Sequence, residues 1–245
     1  PRGVAAAITP SVAYRRQAFP WREPSHPFLQ QRIAASDATT ALFSSAASVG
    51  TLRAIVADHV VHGRVLFPAA GYLEVARAAA STAVTLHGVF FLQPLAVEAA
   101  GLLIECAVGD GHFDVRSRVV KGDADAVVHC SGTLAPQARW QVVEHASVRG
   151  RSCVHAAHAC EVYDGYDAVG VQYGPGYRTL AHAWGGPQHA AARLQARWAK
   201  SGTHVHPADL DDALCVRVLA GPSREGNGET RLPFALDEAS LQGVP

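Results

Sequence analysis

Methionine is missing from all 245 residues, and the chain opens on Pro1-Arg2-Gly3, so we read it as a piece of a longer polypeptide. Its stop at Gln242-Gly-Val-Pro245, directly after a strand-like run, fits that reading. No basic segment followed by an apolar stretch lies near the start, so no secretory leader is expected. Nor is there a run of 18 or more apolar residues, although 49% of the chain is apolar. That excludes a single-helix anchor and points to a soluble, cytoplasmic domain with no membrane partner. A charge excess is lacking too: 21 Lys and Arg face 21 Asp and Glu, which argues against a nucleic-acid groove. The five cysteines are odd in number and scattered, so a reducing compartment suits them better than a disulfide framework.

The chain is long enough to bury a full core, as one large domain or two small ones. Residues 1–25 read as a linker or arm, with Phe19-Pro-Trp21-Arg-Glu-Pro24 as a stiff segment. Strand-like runs follow at about 28–35 and 40–48. From Pro68 the apolar spacing becomes helical through Ala69, Tyr72, Leu73, Ala76, Ala79 and Ala80, with Glu74 and Arg77 on the opposite side. Pro68 suits the first helical position, because its missing N–H has no intrahelical role there.

Strands are expected at about 86–97, 102–108, 112–120 and 126–134, with Gly109-Asp-Gly111 as a hairpin turn. After a connector over about 135–155, a second cycle brings a short helix at about 160–169 and the turn-rich Gly170-Val-Gln-Tyr173-Gly-Pro-Gly-Tyr177. Strands at about 178–184 and 190–199 follow, then a helix from Pro207 and a strand at about 231–242. The units are therefore 1–25 (arm), 26–135 (first), 136–155 (connector) and 156–245 (second).

Two stretches carry candidate chemistry. In Asp58-His-Val-Val-His-Gly63 an extended backbone points His59 and Val61 one way and Val60 and His62 the other. His59 is the candidate base, since a neutral imidazole titrates near working pH. Gly63 and Pro68 at fixed offsets distinguish it from an ordinary core histidine. The first N–H groups of the following helix, that of Ala69 in particular, could stabilise a developing enolate. On the later helix, Leu210, Leu214 and Val218 form an apolar stripe with Asp211 on its border and Cys215 one turn on. Asp209 and Asp212 fall on other faces, where solvent is expected. A carboxyl against apolar surface stays protonated more readily, as an acid catalyst requires. The run Cys153-Val-His155-Ala-Ala-His158-Ala-Cys160 has soft ligands, but its spacing fits no usual zinc pattern, so no metal is expected.

In order along the chain, these stretches resemble the dehydratase domain of modular polyketide synthases, which is related to that of fatty acid synthase. Ser25-His-Pro-Phe-Leu29 resembles the opening strand of that family. His59, Gly63 and Pro68 fit HxxxGxxxxP. Gly170, Tyr173, Gly174, Pro175 and Tyr177 fit GxxYGPxF with Tyr in the Phe place. His206, Pro207 and Asp211 fit HPxxxDxxxQ/H, and Leu232-Pro-Phe234 fits a later strand. The resemblance implies an α+β double hotdog, two units in one chain, each a curved antiparallel sheet around a central helix. It implies His59 as base and Asp211 as acid. Gly63, Pro68, Ala69, Tyr173 and Cys215 would support them, and Gly174, Pro175, Tyr177 and Pro207 would line the substrate tunnel.

The implied substrate is a β-hydroxyacyl chain on the phosphopantetheine arm of an acyl carrier protein, dehydrated without any cofactor bound by the domain itself. Ketoreductase, ketosynthase and acyltransferase domains would be neighbours, and the assembly a homodimer. The chain departs from the pattern in three places: Cys215 replaces Gln or His, Ala69 replaces a usual Gly, and few residues follow Leu232-Pro-Phe234. Two other readings stay open: a double-bond isomerase or ring-forming variant of the same fold, and a catalytically weakened dimerisation scaffold.

Overall fold

Seven strands make one large antiparallel sheet. They are β1 (Gln31–Ile33), β2 (Ala41–Ala46), β5 (Val84–Phe91), β6 (Leu102–Gly109), β7 (His112–Val119), β8 (Val127–Pro136) and β13 (Ala235–Ser240), in the order β1-β2-β6-β7-β8-β5-β13. On β7, Phe113, Val115 and Ser117 face the core while His112 and Asp114 do not, the period of a sheet with one covered face. The computed structural model describes residues 26–33, 39–80, 82–120, 125–137, 144–197, 199, 201–221 and 229–241. The expected arm at 1–25 lies outside them.

The covering element is α2 (Ala69–Ala79), which packs against β5, β6 and β7. Leu73, Val75, Leu86, Val89, Ile104, Phe113 and Val115 belong to this core. Pro68 has extended backbone and caps α2 from one place before its first residue. Glu74, expected on the solvent side, is fully buried. Its carboxylate accepts from the N–H groups of His204 at 2.5 Å and Val205 at 3.2 Å and pairs with His26 Nε2 at 3.0 Å. These contacts satisfy a charge that could not otherwise stay inside.

Asp110-Gly111 makes the expected tight turn between β6 and β7, with both residues at positive φ as two-residue hairpins favour. The sequence does not announce α1 (Gly50–Val56), which is seven residues long, has no side-chain cap, and is held by burial of Leu52, Ile55 and Val56.

The second half is smaller. β9 (His155–Ala157), β11 (Leu180–Gly185) and β12 (Ala190–Leu194) form a sheet in the order β12-β11-β9. Helix α3 (His145–Ser152) occupies the expected connector, α4 (Ala159–Ala168) packs on β11, and α5 (Pro207–Cys215) packs on β12 and on α2. β13, expected in the second unit, instead extends the first sheet by pairing with β5. A third small sheet joins the halves, β10 (Val171–Tyr173) lying between the second half and β3 (His59–Val61), which in turn pairs with β4 (Arg64–Val65). Among the described residues no helix is long and apolar enough to cross a membrane.

Candidate active site

β3 and the backbone of Leu66 fix His59. The residue is 6% exposed. Its Nδ1 lies 2.9 Å from the carbonyl oxygen of Leu66, and the Leu66 N–H donates back to the carbonyl of His59 at 3.1 Å. A carbonyl oxygen only accepts, so Nδ1 carries a hydrogen toward it, and Nε2 is the ring nitrogen left facing Asp211. His62 takes the other direction. It is exposed, with φ 48°, and its Nε2 is 2.8 Å from Thr230 Oγ1. His62 and Gly63 (φ 74°) form the two-residue turn between β3 and β4, a conformation that glycine adopts without strain. Gly63 thus shapes the turn, and its N–H donates to Gln172 Oε1 at 3.2 Å on the exposed rim. Ala69 opens α2, where a first-turn N–H has no partner within the helix.

α5 supplies the carboxylate. His206 caps it, its Nδ1 accepting from the Ala208 N–H at 3.2 Å, and Pro207 takes the first helical position. The buried face is Pro207, Ala208, Asp211, Asp212 and Cys215. The anticipated apolar stripe is therefore misplaced, with Leu210 and Leu214 half-buried and Val218 57% exposed. Asp211 is 6% exposed, and its Oδ2 lies 4.0 Å from His59 Nε2. That gap is too long for a hydrogen bond, so each group remains available to a third molecule. Burial raises the pKa of Asp211, while His59 and a hydrogen bond from Tyr173 act in the opposite sense. Cys215 Sγ is 3.0 Å from the Tyr173 hydroxyl and 4.0 Å from Asp211 Oδ2, and burial pushes its thiol pKa up.

Pairing of β10 with β3 sets Tyr173 directly opposite His59, with ring centroids 5.8 Å apart. The turn beyond Tyr173 is fastened to Asp58: the Gly174 N–H donates to its carbonyl at 2.8 Å and the Gly176 N–H to its Oδ2 at 2.7 Å. A Cβ on Gly174 would stand 2.4 Å from Asp58 Oδ1, which explains the small residue there. Of the four expected tunnel residues, Tyr177 and Pro207 are buried, and the Tyr177 ring lies 5.6 Å from that of His59. Gly174 and Pro175 form the outer turn instead, Pro175 facing a surface pocket with Arg178 and Arg197.

Residues 26–121 match the model of the polyketide synthase dehydratase domain, and residues 142–245 that of the polyketide synthase dehydratase N-terminal domain. The chain belongs to the polyketide synthase dehydratases. It is 29% identical over 244 residues to polyketide synthase GfsE of Streptomyces halstedii, an alignment covering 89% of this chain and 6% of that protein. It is 34% identical over 203 residues to the mycoketide-CoA synthase of Mycobacterium tuberculosis, covering 77% of this chain and 5% of that protein. The chain therefore spans one small part of these long multidomain synthases. The dehydratase domain from the CurF module of curacin polyketide synthase superposes with a TM-score of 0.74 at 22% identity, covering 87% of this chain and 82% of that one. The fold is the double hotdog.

Two features of this dehydratase domain depart from what side-chain spacing implies. Asp212, expected in solvent, is 0% exposed. It accepts from the Tyr163 hydroxyl at 2.9 Å, from the Thr179 N–H at 2.6 Å and from Thr179 Oγ1 at 2.6 Å, so it ties α5 to α4 and to the start of β11. Burial raises its pKa, opposed by those donors. Asp209 is half-buried and pairs with Arg197 at 2.8 Å. The other feature is the Glu74 cluster with His26 and His204, whose potential ligand atoms all lie within 4.8 Å. Arg77 Nη1 meets His204 Nδ1 at 2.5 Å, and Glu74 already serves two backbone N–H groups, which suits a tether better than a cation site. Helical spacing gives a weak signal for both, because an acid two or three places from an apolar position also fits a solvated face.

Proposed function

We propose that the domain removes water from a 3-hydroxyacyl thioester carried on the phosphopantetheine arm of an acyl carrier protein, giving the α,β-unsaturated thioester. The observation that supports it is the placing of His59 Nε2 and Asp211 Oδ2 4.0 Å apart, both buried and not bonded to each other. His59 Nε2 takes the proton from the carbon next to the thioester carbonyl. The electron pair of that C–H bond becomes the new double bond as the C–O bond at the adjacent carbon breaks. Asp211 gives its proton to the departing oxygen, which leaves as water.

His59 is then cationic and Asp211 anionic, and return of the proton from one to the other restores the starting state. The upward pKa shift of Asp211 by burial favours the protonated form that this role needs. The Ala69 N–H at the start of α2 is the donor to the thioester oxygen as enolate character builds. The chemistry calls on no metal or nucleotide. Ketoreductase, ketosynthase and acyltransferase domains are the neighbours this role implies, with the synthase a homodimer.

The test is mass spectrometry of a carrier-bound 3-hydroxyacyl substrate after incubation with the domain. The parent should convert it with loss of one water. His59→Ala should slow this by roughly 10²–10⁴-fold, the usual contribution of a positioned acid or base, while His62→Ala should retain most of the rate. Equal losses in the two variants would remove His59 as the base, and an inert parent would remove dehydration itself.

A further inference from the structure

Tyr177 is 1% exposed, and its hydroxyl has no hydrogen-bond partner among the described residues. A buried hydroxyl is ordinarily paired, since the loss of water is otherwise uncompensated. The ring is well fixed, stacked on Tyr173 at 6.3 Å and 7° and lying 5.6 Å from the ring of His59. Leu180, Ala208 and Val216 share its apolar cluster. The group therefore has little freedom to turn toward solvent. A phenol carries its hydrogen and can donate it, and burial first, then the nearby Asp211, raises its pKa further.

We infer that the Tyr177 hydroxyl donates a hydrogen bond to the β-oxygen of the acyl chain, beside Asp211. This rests on the dehydration reading and names a specificity determinant within that site. A hydroxyl oxygen offers two lone pairs. Asp211 addresses one as it transfers its proton, and Tyr177 addresses the other without losing its own. The phenol pairs with a substrate bearing the β-hydroxyl and is left unpaired by a chain lacking it, so the site discriminates by the presence of that oxygen.

Tyr177→Phe keeps the ring and removes the oxygen. Binding is read with two unreactive probes, the pantetheine amide of a 3-hydroxy acid and that of the same acid without the hydroxyl. The parent should prefer the hydroxylated amide on the order of 10-fold, about the worth of one neutral hydrogen bond. Tyr177→Phe should lose that preference with its affinity for the deoxy amide unchanged, and its kcat/KM for the 3-hydroxyacyl thioester should fall by a similar factor. A parent without preference, or a variant that keeps it, overturns the inference. Equal loss of affinity for both amides also overturns it, since the hydroxyl would then meet another part of the ligand. The binding arm needs no turnover: an inert parent that still prefers the hydroxylated amide would sink dehydration but not the contact.

Discussion

Replacing Asp212 by Ala should destabilise the domain far more than replacing Asp209, three places earlier on the same helix. Asp212 takes two donors that have no ready substitute, the Tyr163 O–H and the Thr179 N–H. Thr179 Oγ1 can rotate to another acceptor. The Tyr163 oxygen itself accepts from the Leu180 N–H at 3.0 Å, so removing the carboxylate ends a chain of bonds running from β11 through α4 to α5. Two buried donors left unpaired at about 1–3 kcal/mol each amount to roughly 2–6 kcal/mol. Release of a carboxyl that burial disfavours offsets part of this, leaving about 3 kcal/mol. For a chain of this size that lowers Tm by roughly 6–12 °C. Asp209→Ala removes a half-exposed ion pair, worth up to about 1 kcal/mol. Thermal melts of both variants by circular dichroism, with dehydration measured alongside, make the comparison. If the two melt within about 2 °C of each other, Asp212 does not fasten α5 and the reasoning fails.

Asp211→Asn should slow dehydration by roughly 10²–10⁴-fold and yet gain stability over the parent as pH rises. A carboxyl whose pKa is raised in the folded state contributes stability in full below its unfolded value, and loses it as pH climbs through the folded value. Burial raises Asp211 in this way, and Asn cannot ionise, so urea melts at several pH values should show the difference in stability widening upward in pH. A difference that narrows would mean that His59 and Tyr173, not burial, dominate this carboxyl. Cys215→Gln should keep or raise the dehydration rate, because an amide can hydrogen-bond the carboxyl that the thiol reaches only at 4.0 Å. The larger side chain should cost about 1–3 kcal/mol of stability in that packed site, and a collapse of activity with the fold intact would give the thiol a role of its own.

The alternation of side chains along a strand separates His59 from His62 by local order alone, and the Asp-Gly pair fixes the β6–β7 turn. Positions such as these are legible because neighbours in sequence decide them. Glu74 and Asp212 are not, because their partners lie far along the chain: His26 and the 204–205 backbone for one, Tyr163 and Thr179 for the other. Spacing alone assigns both to solvent. The same holds for β13, since nothing within Ala235–Ser240 tells which sheet edge it joins. α1 is hidden by its length, too short for a helical period to stand out and dependent on packing of Leu52, Ile55 and Val56.

His59 and Tyr173 face each other on paired strands, and the ribbon they belong to is pinned at both ends, by the His62 N–H on the Gly170 carbonyl and the Gly174 N–H on that of Asp58. A slip of one residue along this ribbon would turn Tyr173 outward and bring a neighbour such as Gln172 opposite the imidazole. Point replacements leave the alignment intact, whereas one inserted or deleted residue in Asp58–Gly63 or Gly170–Gly174 destroys it. The site therefore tolerates a change of side chain in these two stretches far better than a change in their length.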